Sequence, residues 1–334
     1  MIINARNVND AYRQGIEFFL PQVDLGLPTM ASRAGEVLEA TGPVVTSYAF
    51  PCERVLWDAQ RDCNPFFHLA ESLWMLAGKN DVDTLVRFNK KMGDFSDDGI
   101  VFHGAYGARW RHWWSIDQLQ TCIAMLRKDP MTRRCVMTMW SPEDDLDAPD
   151  GCKDVPCNLI VKFEARRGLL DMQVFCRSND MIWGAYGANA VHYAFLQEYV
   201  ALMVGIPVGT YWQISANFHV YLAIWKEKVR MDGTVDSDFY NGKGPGPKPM
   251  PLLTNLETDI GDADLRYRFE ACLAGQRTGI DFLDLVCLPL LNNVWDAWKE
   301  GDRGKSILLA QHIPFQDNDW VMACLMWMER RALK

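Results

Sequence analysis

The stretch DVPCNLIVKF, residues 154–163, frames the reading of the whole chain. Val155, Leu159, Val161 and Phe163 alternate with Asn158, Ile160 and Lys162, a loose period of two that predicts a sheet strand with Cys157 at its entrance, directly after Pro156. Taken alone, such a cysteine reads as packing, because free cysteine is among the most buried residue types. The other reading is a thiol placed for chemistry, and the surrounding chain has to decide between them.

Working outward, 157–164 and 169–176 form two candidate strands joined by a turn at ARRG. Upstream, TRRCVMTMW (132–140) reads as a short strand preceded by Arg133 and Arg134, followed by the acidic loop SPEDDLDAPDGCKD. PFFHLAESLWMLAG (65–78) has proline at its start, glycine at its end and an apolar face, which predicts a helix with Glu71 in its middle. A long apolar helix is expected over about 189–204, leading into GIPVGTYWQISANFHVY. Glycines and prolines make 232–253 the most loop-like region, read as an insertion within a single domain spanning 1–334. The fold class is α+β, a sizeable mixed sheet with helices packed against it.

Composition narrows the function. Hydrophobic residues make up 49% and charged residues 23%, enough for a real core and against global disorder. A net charge of −9 opposes a duplex-coating nucleic-acid binder, yet a few arginines can still hold a small phosphate ligand. The ten cysteines contain no C-x-x-C pair and no histidine follows at zinc-finger spacing, so no metal site is expected. The absence of a signal pattern or a membrane-length apolar run predicts a cytoplasmic protein with reduced thiols and no membrane partner.

The polar residues then fall in a telling order. Arg33 lies in SRAGE, Glu71 in the helix, Tyr106 in YGARWR, and Arg133 and Arg134 before a strand; Cys157 follows in VPCN. CRSNDMIWGAYGAN supplies Arg177, Ser178, Asp180 and Asn189, and NFHVY supplies Asn217, His219 and Tyr221. In this order they resemble the thymidylate synthase family, through four ordered motifs over about two hundred residues.

The resemblance implies a thymidylate synthase-like fold and an obligate homodimer. It also implies an enzyme acting at carbon-5 of a pyrimidine nucleoside monophosphate, with 5,10-methylenetetrahydrofolate as one-carbon donor. Carbon-5 is a poor nucleophile until a thiolate adds to carbon-6, and the resemblance gives Cys157 that part. It assigns phosphate binding to Arg33, Arg177 and Ser178, with Arg133 and Arg134 reaching in from the partner subunit. Glu71 would handle protons through water, and Tyr106 would share its polar network. Asn189 would read the pyrimidine edge, His219 and Tyr221 the sugar hydroxyl, and Asp180 would help hold the folate.

Departures from the family pattern cluster around the one-carbon unit. Asn158 stands where a histidine usually follows the nucleophile. FNKKMGDFSDDGIVFHGAYG lacks the tryptophans that line the folate site, and MWMERRALK lacks an aliphatic tail. GAYGAN puts its asparagine one residue late. A methyl-forming site must exclude water, whereas admitted water yields a hydroxymethyl group. The chain therefore looks most like the hydroxymethylase branch, known from bacteriophages and some antibiotic pathways. The alternatives are a divergent thymidylate synthase and a non-catalytic nucleotide- or RNA-binding relative. Uracil or cytosine, and deoxyribose or ribose, stay open at this point.

Overall fold

The computed structural model describes residues 1–33, 35–242, 246–252 and 261–332. A six-stranded mixed sheet is built in the order β1-β4-β9-β7-β6-β5 from Ile2–Ala5 (β1), Val44–Tyr48 (β4), Val136–Thr138 (β5), Asn158–Arg166 (β6), Leu169–Cys176 (β7) and Val208–Ser215 (β9). A smaller sheet, β2-β3-β10-β8, joins Met30–Ser32 (β2), Gly35–Glu39 (β3), Asn179–Asp180 (β8) and Phe218–Tyr221 (β10). The helices are Val8–Asp24 (α1), Pro65–Leu76 (α2), Val82–Val86 (α3), Tyr106–Arg111 (α4), Gln118–Lys128 (α5), Asn189–Val204 (α6), Leu222–Lys228 (α7), Asp262–Leu273 (α8), Trp295–Lys299 (α9), Arg303–Gln311 (α10) and Asp319–Ala332 (α11). None is long and apolar enough to cross a membrane. This is the mixed sheet with packed helices that the strand and helix patterns predict.

The β6–β7 hairpin closes through Arg167 (φ 53°) and Gly168 (φ 77°), consecutive positive φ values that match the twist of the flanking strands. The expected alternation in β6 holds only from Val161 onward. A bulge between Asn158 and Ile160 resets the phase, so Asn158 is buried, Leu159 half-buried and Ile160 exposed. Val155 lies before the strand and Cys157 sits one residue outside it, while the strand expected over 132–140 shrinks to Val136–Thr138. Thr138 and the residues before it pair too few partners to carry the full length, since β5 is the sheet edge.

One face of the large sheet is buried. Val161, Phe163, Met172, Val174 and Tyr211 turn inward beneath α6, which is buried along nearly its whole length. That explains its largely apolar sequence, because a helix covered on all sides needs no polar stripe. The C-terminal helices form the outer cover. Phe66 of α2 packs on Trp295 and Trp327, and Phe195 of α6 stacks on Trp320. Arg54 pairs with Glu198 at 2.7 Å and lies over the Phe195 ring, so buried charge and aromatic packing meet at one point. Within 232–253, residues 243–245 and 253 lie outside the described residues. Of the rest, Tyr240 packs on Trp57 and donates to Asp319 Oδ2 at 2.7 Å, and Leu252 N–H donates to Glu198 at 2.7 Å. This loop is tied down against the core of the fold.

Candidate active site

Cys157 is half-buried at the mouth of β6 and its thiol is free, as are the other nine. Arg177, at the end of β7, fixes the approach to it. Its backbone N–H donates to the Cys157 carbonyl at 2.8 Å, its Nε donates to the Pro156 carbonyl at 2.8 Å and its Nη2 to Val155 O at 3.1 Å. The guanidinium also lies 5.8 Å over the Trp140 ring. Arg33, exposed in the turn after β2, reaches across to donate to the Cys152 carbonyl at 3.0 Å. Burial pushes the Cys157 thiol above its ordinary value, and the charges of Arg177 and Arg33 pull it back.

Beside the nucleophile runs a chain of amides. Asn158 Nδ2 donates to Asn189 Oδ1 (3.1 Å), Asn189 Nδ2 to Asn179 Oδ1 (3.1 Å), and Asn179 Nδ2 to Ser215 Oγ (2.9 Å). Asn158 N–H donates to Tyr106 Oη at 3.3 Å, and Asn158 Oδ1 is buried without a partner. An orphaned buried acceptor is costly, so its presence next to the thiol points to a donor brought by a ligand. Asn189 is preceded by a π-helical segment, Met181–Ala188, that breaks at Tyr186 and Gly187. The wide turn lets Asn189 open α6 facing Asn158.

Asp180 lies on β8, paired in register with His219 of β10. Its carboxyl is pushed up to about 6 by burial, which outweighs the Trp183 N–H it accepts, and its Oδ2 has no partner. His219 Nδ1 lies 2.7 Å from Asn217 Oδ1 and its ring meets Tyr221 edge-on at 5.2 Å. Burial lowers the His219 pKa and raises that of Tyr221, so both are neutral at pH 7. The Ser178 carbonyl accepts from Cys176 Sγ at 3.0 Å.

Glu71 and Tyr106 take separate partners. Glu71 Oε2 faces His192 Nε2 of α6 at 3.1 Å, whereas the Tyr106 hydroxyl serves Asn158. Tyr106 is then connected to the α6 side of the site by its ring, 6.0 Å from that of Tyr193. The expected shared network is therefore two arms, both resting on the first turns of α6.

Arg133 and Arg134 are not brought to this cluster within one chain. Both are exposed ahead of β5, which runs antiparallel to β6 with Val136 opposite Lys162. They lie beyond that pair at the far end of β6 from Cys157, on the order of 20 Å away by strand rise.

Several residues beside the candidate site carry no role in the sequence reading. Trp183 is 45% exposed, with buried Arg61 stacked 4.3 Å beneath it and Arg61 Nε bonded to the Ile182 carbonyl at 2.9 Å. His192 could have been found by the signal that marked Glu71, a polar residue inside an otherwise apolar helix. Asn158 was visible only as a departure. A cavity of about 500 Å³ opens beside the nucleophile loop, between Trp113, His103, Arg109 and Asp97, Asp144, Asp150 and Asp154. Its carboxylates suit neither a nucleotide phosphate nor another anion.

Comparisons with known proteins show the family. The family model described as thymidylate synthase matches residues 60–232. A deoxyuridylate hydroxymethyltransferase from Pseudomonas phage M6 is 40% identical over 339 aligned residues, covering 99% of this chain and 94% of that one. Another with the same name, from Bacillus phage SP01, is 37% identical over 63% of this chain and 59% of its own. The crystal structure of thymidylate synthase from T4 phage shares the fold, with a TM-score of 0.50 at 22% identity, covering 64% of this chain and 77% of that one. With a matching family model over half its length and a relative aligned almost end to end, the chain belongs to the thymidylate synthase family.

Proposed function

We propose that this protein is a folate-dependent deoxyuridylate hydroxymethylase, which adds a hydroxymethyl group to carbon-5 of dUMP. The observation that carries the reading is Cys157, half-buried between two arginine charges and flanked by amides with an unsatisfied acceptor at Asn158. The thiolate adds to carbon-6 of the base and the electron pair moves onto the carbon-5 side as an enolate. Arg177 and Arg33 hold the phosphate, with Ser178 beside them, and steady the thiolate. The amides of Asn158 and Asn189 meet the polar edge of the uracil, while His219 and Tyr221 bind the sugar hydroxyl. Glu71 moves protons at water near carbon-5.

The residues present also fit 5,10-methylenetetrahydrofolate. Asp180 offers a buried orphan oxygen to ring N–H groups, and the Trp183 indole beside it gives a flat surface for a heterocycle. When bound, the folate supplies the one-carbon unit. The choice of uracil, deoxyribose and a hydroxymethyl product over cytosine or a methyl group is supported by the name of the M6 relative, aligned over nearly all of both chains. We further propose a homodimer in which the partner's copies of Arg133 and Arg134 complete the phosphate site, since neither reaches Cys157 within one chain.

The test is mass spectrometry of the nucleotides after incubation with dUMP, dCMP and methylenetetrahydrofolate together. A 5-hydroxymethyl product from dUMP alone is expected, and none from Cys157→Ala, which should still bind dUMP. A methyl product on dUMP would make the enzyme a thymidylate synthase; modified dCMP would overturn the base assignment.

A further inference from the structure

The geometry points to His192 as a positioning residue for the water-adding step, acting through Glu71; this rests on the hydroxymethylase reading. The two side chains meet across α2 and α6. Glu71 Oε2 and His192 Nε2 lie 3.1 Å apart, both buried, and neither has a closed hydrogen bond to any other group. The N–H is not aligned on the oxygen, which is the state expected of a catalytic contact before substrate closes the site. Glu71 Oε1 is not among the buried orphaned atoms, and the Glu71 side chain keeps 14% exposure. One carboxylate oxygen thus faces the histidine and the other is left for water.

The placement on α6 ties this pair to the nucleophile. Asn189 and His192 are three residues apart, so they lie on one face of the helix's first turn. Asn189 bonds the amide next to Cys157, and His192 meets the carboxylate. A shift of that turn moves both together. Packing alone does not call for an imidazole here. The adjacent His68 ring, 6.1 Å away and edge-on, is already held neutral by burial, by His192 and by Arg61, so a second buried imidazole adds desolvation cost without a structural return.

In the step itself, the water oxygen bonds to the exocyclic methylene carbon at carbon-5, and one water proton passes to Glu71 Oε1. The electron pair of the methylene double bond moves to the carbonyl at carbon-4 as an enolate. Collapse of the enolate restores the carbonyl, forms the carbon-5–carbon-6 double bond and expels the Cys157 thiolate. Once the site closes, His192 donates to Oε2, so the carboxylate does not rotate away before the proton arrives.

Two substitutions separate positioning from packing. His192→Phe keeps ring volume and deletes the donor; His192→Gln keeps an amide donor. We expect His192→Phe to lower kcat for 5-hydroxymethyl-dUMP by about 30-fold, short of the roughly 100-fold or greater loss expected for removing a general acid–base itself, since Glu71 stays in place. The KM for dUMP, its binding by the unliganded protein and the melting temperature should change little. His192→Gln should recover at least a third of the lost rate. A folded His192→Phe enzyme with normal kcat would overturn the inference. So would a loss in both variants matched by weaker dUMP binding, which would make the role one of packing. The function proposed above is judged separately, on the wild-type product: a wild-type enzyme that makes no hydroxymethyl nucleotide overturns that reading, whatever the variants do.

Discussion

Cys157 is set between two opposed influences. Burial raises its thiol while Arg177 and Arg33 lower it, and burial wins, so the thiolate is the minority form near neutral pH. Site-resolved alkylation of Cys157 should therefore accelerate as pH rises, with a midpoint above that of a free thiol. Arg177→Ala removes one of the lowering charges and should slow the reaction measurably at pH 8. The same guanidinium ties down Pro156 and Val155, so its loss also frees the loop. Faster alkylation would show that the clamp, not the charge, is its main contribution. At this scale the sequence marks candidates where chemistry restricts the residue type: a thiol after proline, arginines near it, a carboxylate in an apolar helix, and the structure brings Cys157, Arg33 and Arg177 together. The sequence was read poorly where identity varies within a role. Asn158 and Trp183 stand out through an orphaned oxygen and an exposed indole, and neither property exists until the backbone has placed them.

Among the elements, α2 and α6 were legible because their ends are chemically marked. Asn64 caps α2, accepting from Phe67 N–H, with Pro65 in the first turn, and Gly205 closes α6 at φ 83°. The β5 strand and the start of β6 were not, since an edge position and a bulge are set by partners distant in sequence. The YG motif shows what such partners demand. Gly107 in α4 lies so close to α2 that a β-carbon there would sit 2.1 Å from the Met75 carbonyl oxygen, and backbone cannot move aside as a side chain would. Gly107→Ala should therefore destabilise the protein by about 2 kcal/mol or more, the upper part of the range for overpacking, as read by urea unfolding. The neighbouring Tyr106 would shift with α4, so dUMP binding should weaken in parallel. An alanine variant of unchanged stability would mean that α4 can slide along α2, and that the glycine is kept for some other reason.

At the scale of the molecule, the two faces of the large sheet differ. The inner face is closed by α6 and the C-terminal helices, while on the outer face Val136 and Ile160 are exposed and Phe175, Trp212 and Ile214 half-buried. Lys162 and Gln173 share the row of Val136 and Trp212, and an exposed face with this much apolar surface is usual where another protein covers it. Arg133 and Arg134 emerge at its β5 edge, far from the Cys157 of their own chain. If two sheets meet face to face and exchange these arginines, each active site is built from both chains. Cys157→Ala homodimers lack the nucleophile and Arg134→Ala homodimers lack a phosphate contact. Mixing the two under conditions that allow subunit exchange yields heterodimers with one site carrying both lesions and one carrying neither. Activity should then rise toward a quarter of wild type, since half of the dimers are mixed and each has one intact site in two. No recovery, with exchange verified by native mass spectrometry, would mean that every site is completed within its own chain, and Arg33 and Arg177 would then hold the phosphate without help.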